Sequence, residues 1–229
     1  MGAVQGCCFS GFALAGFGNS QTSWRQRRQP KSPRPPHVLV LGPPGAGKGT
    51  QCAKLADKYG PLHISTGDLY RAEVQRGTEM GQQLKAIMDS GGLVPDELGI
   101  QAILHGRLQQ QDVKVSGWIG DGWTREKANS ESLLRCGLVP DLVLSLQVPR
   151  DVLLQRLSGR RVDPVTRATY HPELGLPTNP EVQQRLVQRS DDALEAAAKR
   201  LDIYEGQREA ALGPLRAFGI PVVEVSGNG

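Results

Sequence analysis

The chain has 229 residues, enough for one domain with a sizeable core and insertions. Its formal charge of +4 overstates its basicity: five basic residues precede Pro36, no acid occurs before Asp57, and the remainder carries 22 basic against 23 acidic side chains. That near-neutral remainder removes any charge argument for nucleic acid, and four cysteines without a CxxC pair argue against structural zinc and for a reducing compartment.

Residues 1–36 are rich in Gly, Ser, Gln, Pro and Arg and lack acids, the composition of an organellar transit peptide. No basic residue precedes Phe12-Ala13-Leu14-Ala15, which argues against a secretory signal, and that stretch is far too short to cross a bilayer. Lipid anchoring through Gly2, Cys7 and Cys8 is disfavoured by Gly6, where a myristoylation pattern wants Ser or Thr. A disordered leader with no address is the other reading, which leaves the cytoplasm open; basic charge that begins only at Arg25 suits a plastid peptide better than a mitochondrial one.

Downstream, strand-like and helix-like stretches alternate. His37–Leu41 reads as a buried strand, and Gly42-Pro43-Pro44-Gly45-Ala46-Gly47-Lys48-Gly49-Thr50 opens a helix that runs to Tyr59-Gly60. Leu62–Ile64 is a short strand entering Ser65, which the Asp68 three residues on marks as a helix N-cap. Helices are expected over 66–76 and 80–89, and from Pro95 to about Gln109. Strands follow at 118–120, ending at Asp121, and at 142–146, with a helix to Leu157. From Gly159 to about Gln188 the pattern dissolves; a charged helix over about 191–210 and a strand at 221–225 complete the chain. Such alternation predicts an α/β fold: a parallel five-stranded sheet with helices on both faces.

Strand, glycine-rich loop and helix together turn residues 42–50 into a phosphate-binding loop of P-loop NTPase type. Backbone N–H groups of Gly45, Ala46, Gly47, Gly49 and Thr50, with the positive helix end, suit a polyphosphate. Lys48 supplies the charge that follows the transferred phosphoryl group. Gly49 stands where the general pattern has Ser or Thr, and the hydroxyl arrives at Thr50.

In that loop and five further motifs the chain, over residues 37–228, resembles the adenylate kinase family of nucleoside monophosphate kinases. The motifs are His63–Arg71, Gly92–Glu97, Asp121–Arg125, Gly159–Thr166 with Tyr170-His171, and Arg189–Asp192 with Arg200-Leu201. Their wording is most similar to plastid-type members.

The resemblance implies ATP with Mg²⁺ as cofactor and AMP as acceptor, giving two ADP. It implies an acceptor-binding helical segment at 65–94 and a lid at 159–188. Arg71 and Arg125 would hold the acceptor phosphate, Arg156 and Arg160 would come from the lid over ATP, and Arg189 and Arg200 would reach the transferred group. Thr66, Gly92, Leu93, Val94 and Gly122 would line the acceptor, with Asn129 at the position that reads its base. Thr169, Tyr170 and the backbone of Gly227 would cover the ATP adenosine. Asp121 would orient Mg²⁺ through water, with Asp68 as second carboxylate. Small-molecule nucleotides are the expected partners, with no nucleic acid and no membrane for the mature form, which is expected to be a monomer.

Four departures qualify the match. Trp123-Thr124 replaces the family's Phe-Pro, whose proline is cis; a cis bond at Thr124 would cost roughly 3 kcal/mol. Asn129 replaces a glutamine and resembles UMP/CMP kinases, whereas Thr66 favours AMP. Arg167 replaces a glycine in a turn that needs positive φ. The family continues into a terminal helix, so an end four residues after Val225 leads to the expectation of a truncated chain or a less stable domain. A pyrimidine monophosphate kinase, or a nucleotide-binding protein with weakened catalysis, are the alternatives these departures raise.

Overall fold

The computed structural model describes residues 35–95, 98–99 and 104–227. The expected leader up to residue 34, with Gly2, Cys7 and Cys8, lies outside the described residues, as do Asp96-Glu97 and residues 100–103 of the helix expected from Pro95. Five strands form one parallel sheet: β1 (His37–Leu41), β2 (Leu62–Ser65), β3 (Trp118–Asp121), β4 (Leu142–Gln147) and, later, β7 (Val222–Ser226). They lie in the order β2-β3-β1-β4-β7, with Val40 level with Asp121 and Ser65 level with Asp121. Loops leaving the carboxyl ends of β1, β2 and β3 therefore meet at one edge, where ligands of open α/β sheets bind.

The side-chain period of two sends alternate residues of β1 to opposite faces. Leu39 and Leu41 join Ile64, Trp118, Leu133, Leu212 and Leu215 in one core. Val40 joins Cys52, Ile119, Leu153 and Leu201 in the other. Helices cover both: α1 (Lys48–Tyr59), α2 (Thr66–Arg76), α3 (Glu79–Asp89), α4 (His105–Leu108), α5 (Gln111–Ser116), α6 (Lys127–Arg135), α7 (Arg150–Gly159), α8 (Pro180–Gln184) and α9 (Leu194–Ala217). No helix among the described residues is long and apolar enough to cross a membrane.

The helix ends follow local chemistry. Gly60 closes α1 at φ 86°, donating its N–H to the Ala56 carbonyl. Ser65 caps α2 by accepting from the Asp68 N–H, and Thr78 caps α3 by accepting from Gly81.

Three helices, α5, α6 and α8, go beyond the sequence reading. α6 has only Leu133, Leu134 and small residues to bury, so its apolar stripe is thin; Ser130 and Ser132 are buried with them, and Ser130 donates to the Ala211 carbonyl. The charged helix is longer than expected, continuing through Pro214 to Ala217.

The 159–188 stretch is ordered by polar contacts, which is why no periodicity marked it. β5 (Arg161–Val162) and β6 (Thr169–Tyr170) pair antiparallel. The turn between them is built on Asp163, whose side chain is fully buried. Its carboxylate accepts from Val165 N–H, the Thr166 hydroxyl and both ends of the Arg185 guanidinium, at 2.7–3.0 Å. The Arg185 hydrogen bonds, against an opposing desolvation, hold that carboxyl well below the usual carboxylate range. The expected positive φ appears here, at Arg167, with φ 62°.

Trp123, where the resembled family has phenylalanine, settles over Gly120 of β3 and donates its indole N–H to the Ile64 carbonyl at 2.8 Å. It thereby ties β2 to the loop that carries Gly122 and Arg125. A Cβ on Gly120 would sit 2.6 Å from that indole. Gly120→Ala should therefore destabilise the fold by roughly 1–3 kcal/mol, as overpacking does, measured by denaturant unfolding at unchanged m-value.

Candidate active site

The phosphate loop depends on two left-handed glycines, Gly45 (φ 81°) and Gly47 (φ 83°), with the Ala46 N–H donating to the Pro43 carbonyl at 3.2 Å. At Gly45 the constraint is double, because a Cβ would also meet Leu157 at 3.0 Å. Lys48 folds back over the loop, its Nζ donating to the carbonyls of Gly42 and Pro43, both at 2.9 Å. Burial lowers its pKa to about 8; Asp121 opposes that, while Arg125, Arg200 and Arg160 add to it.

A cleft of about 1370 Å³ opens in front of this loop. The loop residues Gly45 to Thr50 form its floor. Thr66, Arg71, Gly92, Val94, Gly122 and Arg125 also line it. Arg156, Arg160, Thr169, Tyr170, Arg189, Arg200 and Gly227 line the rest, with Asp68 and Asp121. Of the expected site residues, Leu93 and Asn129 lie instead on a small adjoining cavity with Tyr70 and Trp123. The Thr66 hydroxyl donates to the Gly122 carbonyl at 2.9 Å, fixing the start of α2 to the loop after β3.

Cations dominate the cleft. Arg189 is brought to about 10 by burial and by the neighbouring Arg71 and Arg160. Arg200 is brought to about 10 by burial and by Arg125 and Arg160, with Asp191 opposing. Positive charge is thus held close to positive charge in a partly dry cleft, an arrangement that favours a multiply charged anion.

Two carboxylates aim these arginines, and the sequence reading had left both out of the site. The Asp192 side chain is fully buried and grips Arg160, with Nε donating to Oδ2 at 2.7 Å and Nη2 donating to Oδ1. Asp191 accepts from Arg200 Nη1 through its carboxylate and its carbonyl, each at 2.8 Å. Burial pulls the Asp191 carboxyl up, but Arg200, Arg160 and Arg189 outweigh that and hold it below its ordinary value. In the sequence, Asp191-Asp192 just after Arg189 suits a lid anchor and a stabilised helix start equally; the arginine pairings add the partners.

Contacts among the described residues add to the expected roles. The Asp68 carboxylate pairs with Arg71 at 2.5 Å and so positions that arginine. Arg156 sits on α7 rather than in the 159–188 stretch, and donates to the Gly227 carbonyl at 3.1 Å. The Gly227 N–H is spent on the Gln147 carbonyl at 2.8 Å. The Asn129 side-chain oxygen accepts from the N–H groups of Arg125 and Glu126, at 3.1 and 3.3 Å. That oxygen helps shape the loop behind Arg125. Next to it the Thr124 hydroxyl is buried without a partner among the described residues, a local cost of the Trp123-Thr124 pair.

Asp121 ends β3 with its Oδ2 3.4 Å from His63 Nε2. Burial pulls its carboxyl up, yet the His63 hydrogen bond and the charges of Lys48, His63 and Arg125 keep it low. With Cys52 these two make the one trio of metal-ligating side chains among the described residues. The donor set fits Mg²⁺ only through the carboxylate, since Mg²⁺ takes oxygen ligands and keeps much of its water.

Lys48 yields a two-sided pH prediction. A lysine held near 8 when folded and 10.5 when unfolded binds fewer protons in the native state between those values. Native stability without nucleotide should therefore rise with pH from about 8 to 10.5 by this group, while affinity for a nucleoside triphosphate falls as the charge is lost. Calorimetric titration and unfolding across pH 7–10 would check both; affinity that stays flat would contradict the reading.

The family model for adenylate kinase matches residues 40–216. The chain is 40% identical over 194 residues to "Probable adenylate kinase 2, chloroplastic" of Oryza sativa subsp. japonica, covering 85% of this chain and 66% of that protein. It is 39% identical over 194 residues to the chloroplastic adenylate kinase of Zea mays, covering 85% and 86%. A bacterial adenylate kinase from Thermoanaerobacter sp. (strain X514) is 43% identical over 178 residues, covering 74% and 81%.

Proposed function

The chain belongs to the adenylate kinase family, as a nucleoside monophosphate kinase that moves a phosphoryl group between ATP and AMP, and we propose how its residues divide that work. The observation that carries the assignment of roles is the convergence of Lys48, Arg71, Arg125, Arg160, Arg189 and Arg200 on one cleft.

ATP phosphates lie in the loop from Gly45 to Thr50, with the adenosine under Thr169 and Tyr170. AMP lies between Thr66, Arg71, Gly92, Val94, Gly122 and Arg125. An acceptor phosphate oxygen attacks the γ-phosphorus of ATP as the bond to the bridging β–γ oxygen breaks. The protein's task is to hold the two anions in line and neutralise the charge that spreads over the moving group. Lys48, Arg160, Arg189 and Arg200 serve the moving group, and Arg71 and Arg125 hold the acceptor phosphate. Planar guanidinium forks suit paired phosphate oxygens. Bound Mg²⁺ would screen the charge of the ATP phosphates, and Asp121 would hold it through water.

Residues 65–94 form the acceptor-binding segment and 159–188 the lid; their closure excludes water from the transferred group. The acid-free leader and the chloroplastic relatives support a plastid location for this chain.

A coupled phosphotransfer assay on the full chain, with ATP·Mg²⁺ and AMP, UMP, CMP or GMP in turn, tests this division. AMP should turn over fastest, and Lys48→Ala or Arg189→Ala should cut kcat roughly 10²- to 10³-fold, the scale of one preorganised donor. Full activity in Lys48→Ala would remove the proposal.

A further inference from the structure

Arg167 is the one non-glycine residue with positive φ among the described residues, at 62°. For an L-residue that conformation is strained, and glycine would relieve it at no steric cost. Strain of this kind persists where the surroundings over-determine it. Here Asp163 does so: besides its buried carboxylate contacts, its carbonyl accepts the Arg167 N–H at 2.8 Å and its N–H donates to the Ala168 carbonyl at 3.0 Å. The turn is rigid, and the exposed Arg167 side chain projects from it.

Arg167 Nη1 donates to the Asp68 carbonyl at 2.9 Å. Asp68 lies in the first turn of α2, and its own carboxylate holds Arg71. The contact therefore joins the hairpin tip to the residue that aims an acceptor-side arginine.

We infer that Arg167 is a positioning residue that clasps the lid onto the first turn of α2, holding the cleft closed and bracing Arg71 while both nucleotides are bound. The inference rests on the assignment of residues 159–188 as lid and of α2 as acceptor-binding. A strained arginine in place of an easy glycine has a use on this account: the fixed backbone aims a long donor across the cleft. The Asp68 carbonyl lies beside the acceptor pocket, so the clasp acts on AMP binding as well as on ATP.

The test compares Arg167→Gly, Arg167→Asn and Arg167→Lys with the unaltered chain. Glycine and asparagine both tolerate the turn's backbone, and neither reaches Asp68. Lysine reaches with a single ammonium. Two readouts are needed: KM and kcat with ATP and AMP, and the lid-to-α3 distance from dyes on Gln83→Cys and Thr178→Cys, with Cys7, Cys8 and Cys136 replaced by serine.

Arg167→Gly and Arg167→Asn should raise the KM for AMP about 2- to 10-fold, the worth of one hydrogen bond, with kcat unchanged or higher. Both should lower the fraction of closed molecules at saturating nucleotide, and Arg167→Lys should restore part of each change. Arg167→Gly should melt no lower than the unaltered chain, because it also releases strain.

If Arg167 only builds the turn, Arg167→Gly will keep the original KM and closed fraction, and the inference is overturned. A chain that bound nucleotide without turnover would sink the kinase roles. The dye distance, read on adding ATP, would still decide the clasp.

Discussion

The structure turns on a repulsion. Lys48, Arg71, Arg125, Arg160, Arg189 and Arg200 face one cleft, and the carboxylates that accompany them are too few and too committed to neutralise it. Asp68, Asp191 and Asp192 each grip an arginine, which fixes its direction more than it cancels the field. The lowered pKa values of Lys48, Arg189 and Arg200 come first from burial, with neighbouring cations adding to it; at Lys48 and Arg200 a carboxylate opposes the shift more strongly than any one cation adds to it. A protein that carries such a cost in its empty state stands to recover it when a polyphosphate enters, and that recovery is what can drive closure. Catalysis then needs little more from the protein than direction, because donors already aimed at the moving phosphoryl group require no reorganisation.

The fold exists to bring these charges to one edge. Three loops leave the carboxyl ends of β1, β2 and β3 side by side, and β3 presents Asp121 beside the loop that holds Lys48. Trp123 is the rivet: its indole N–H on the Ile64 carbonyl fixes the loop of Gly122 and Arg125 to the end of β2. Phenylalanine could fill the same space over Gly120 but could not make that bond. The Trp123-Thr124 departure is thus accommodated by packing and a hydrogen bond, at the local expense of one buried hydroxyl.

Much of this was legible in the sequence, for identifiable reasons. Strands β1 to β4 and the phosphate loop announced themselves because a parallel sheet buried on both faces needs unbroken apolar runs, and a phosphate loop needs glycines at fixed places. The positive φ at Arg167 was legible only through the resemblance, because the family's usual glycine there marks such a turn. What escaped was polar. Asp191 and Asp192 act through contacts with Arg160 and Arg200, 32 and 9 residues away, and no local pattern encodes such partners. The Asn129 oxygen holds two backbone N–H groups at the start of α6, a contact that residue type alone does not announce. Asp68 holds Arg71 three residues on, a pairing that helix spacing allows but no motif marks. The 159–188 stretch has hairpin order without apolar periodicity because one buried aspartate organises it.

The most direct test of an anion-starved cleft uses an anion without a nucleoside. Thermal unfolding of the full chain would be followed with inorganic tripolyphosphate and, separately, with adenosine, at equal concentration and ionic strength. The account predicts that tripolyphosphate alone raises the melting temperature, by a few degrees at about 100 times its dissociation constant, while adenosine raises it little. Stabilisation by adenosine equal to or above that by tripolyphosphate would mean that the nucleoside pockets, and not the buried cations, govern the site.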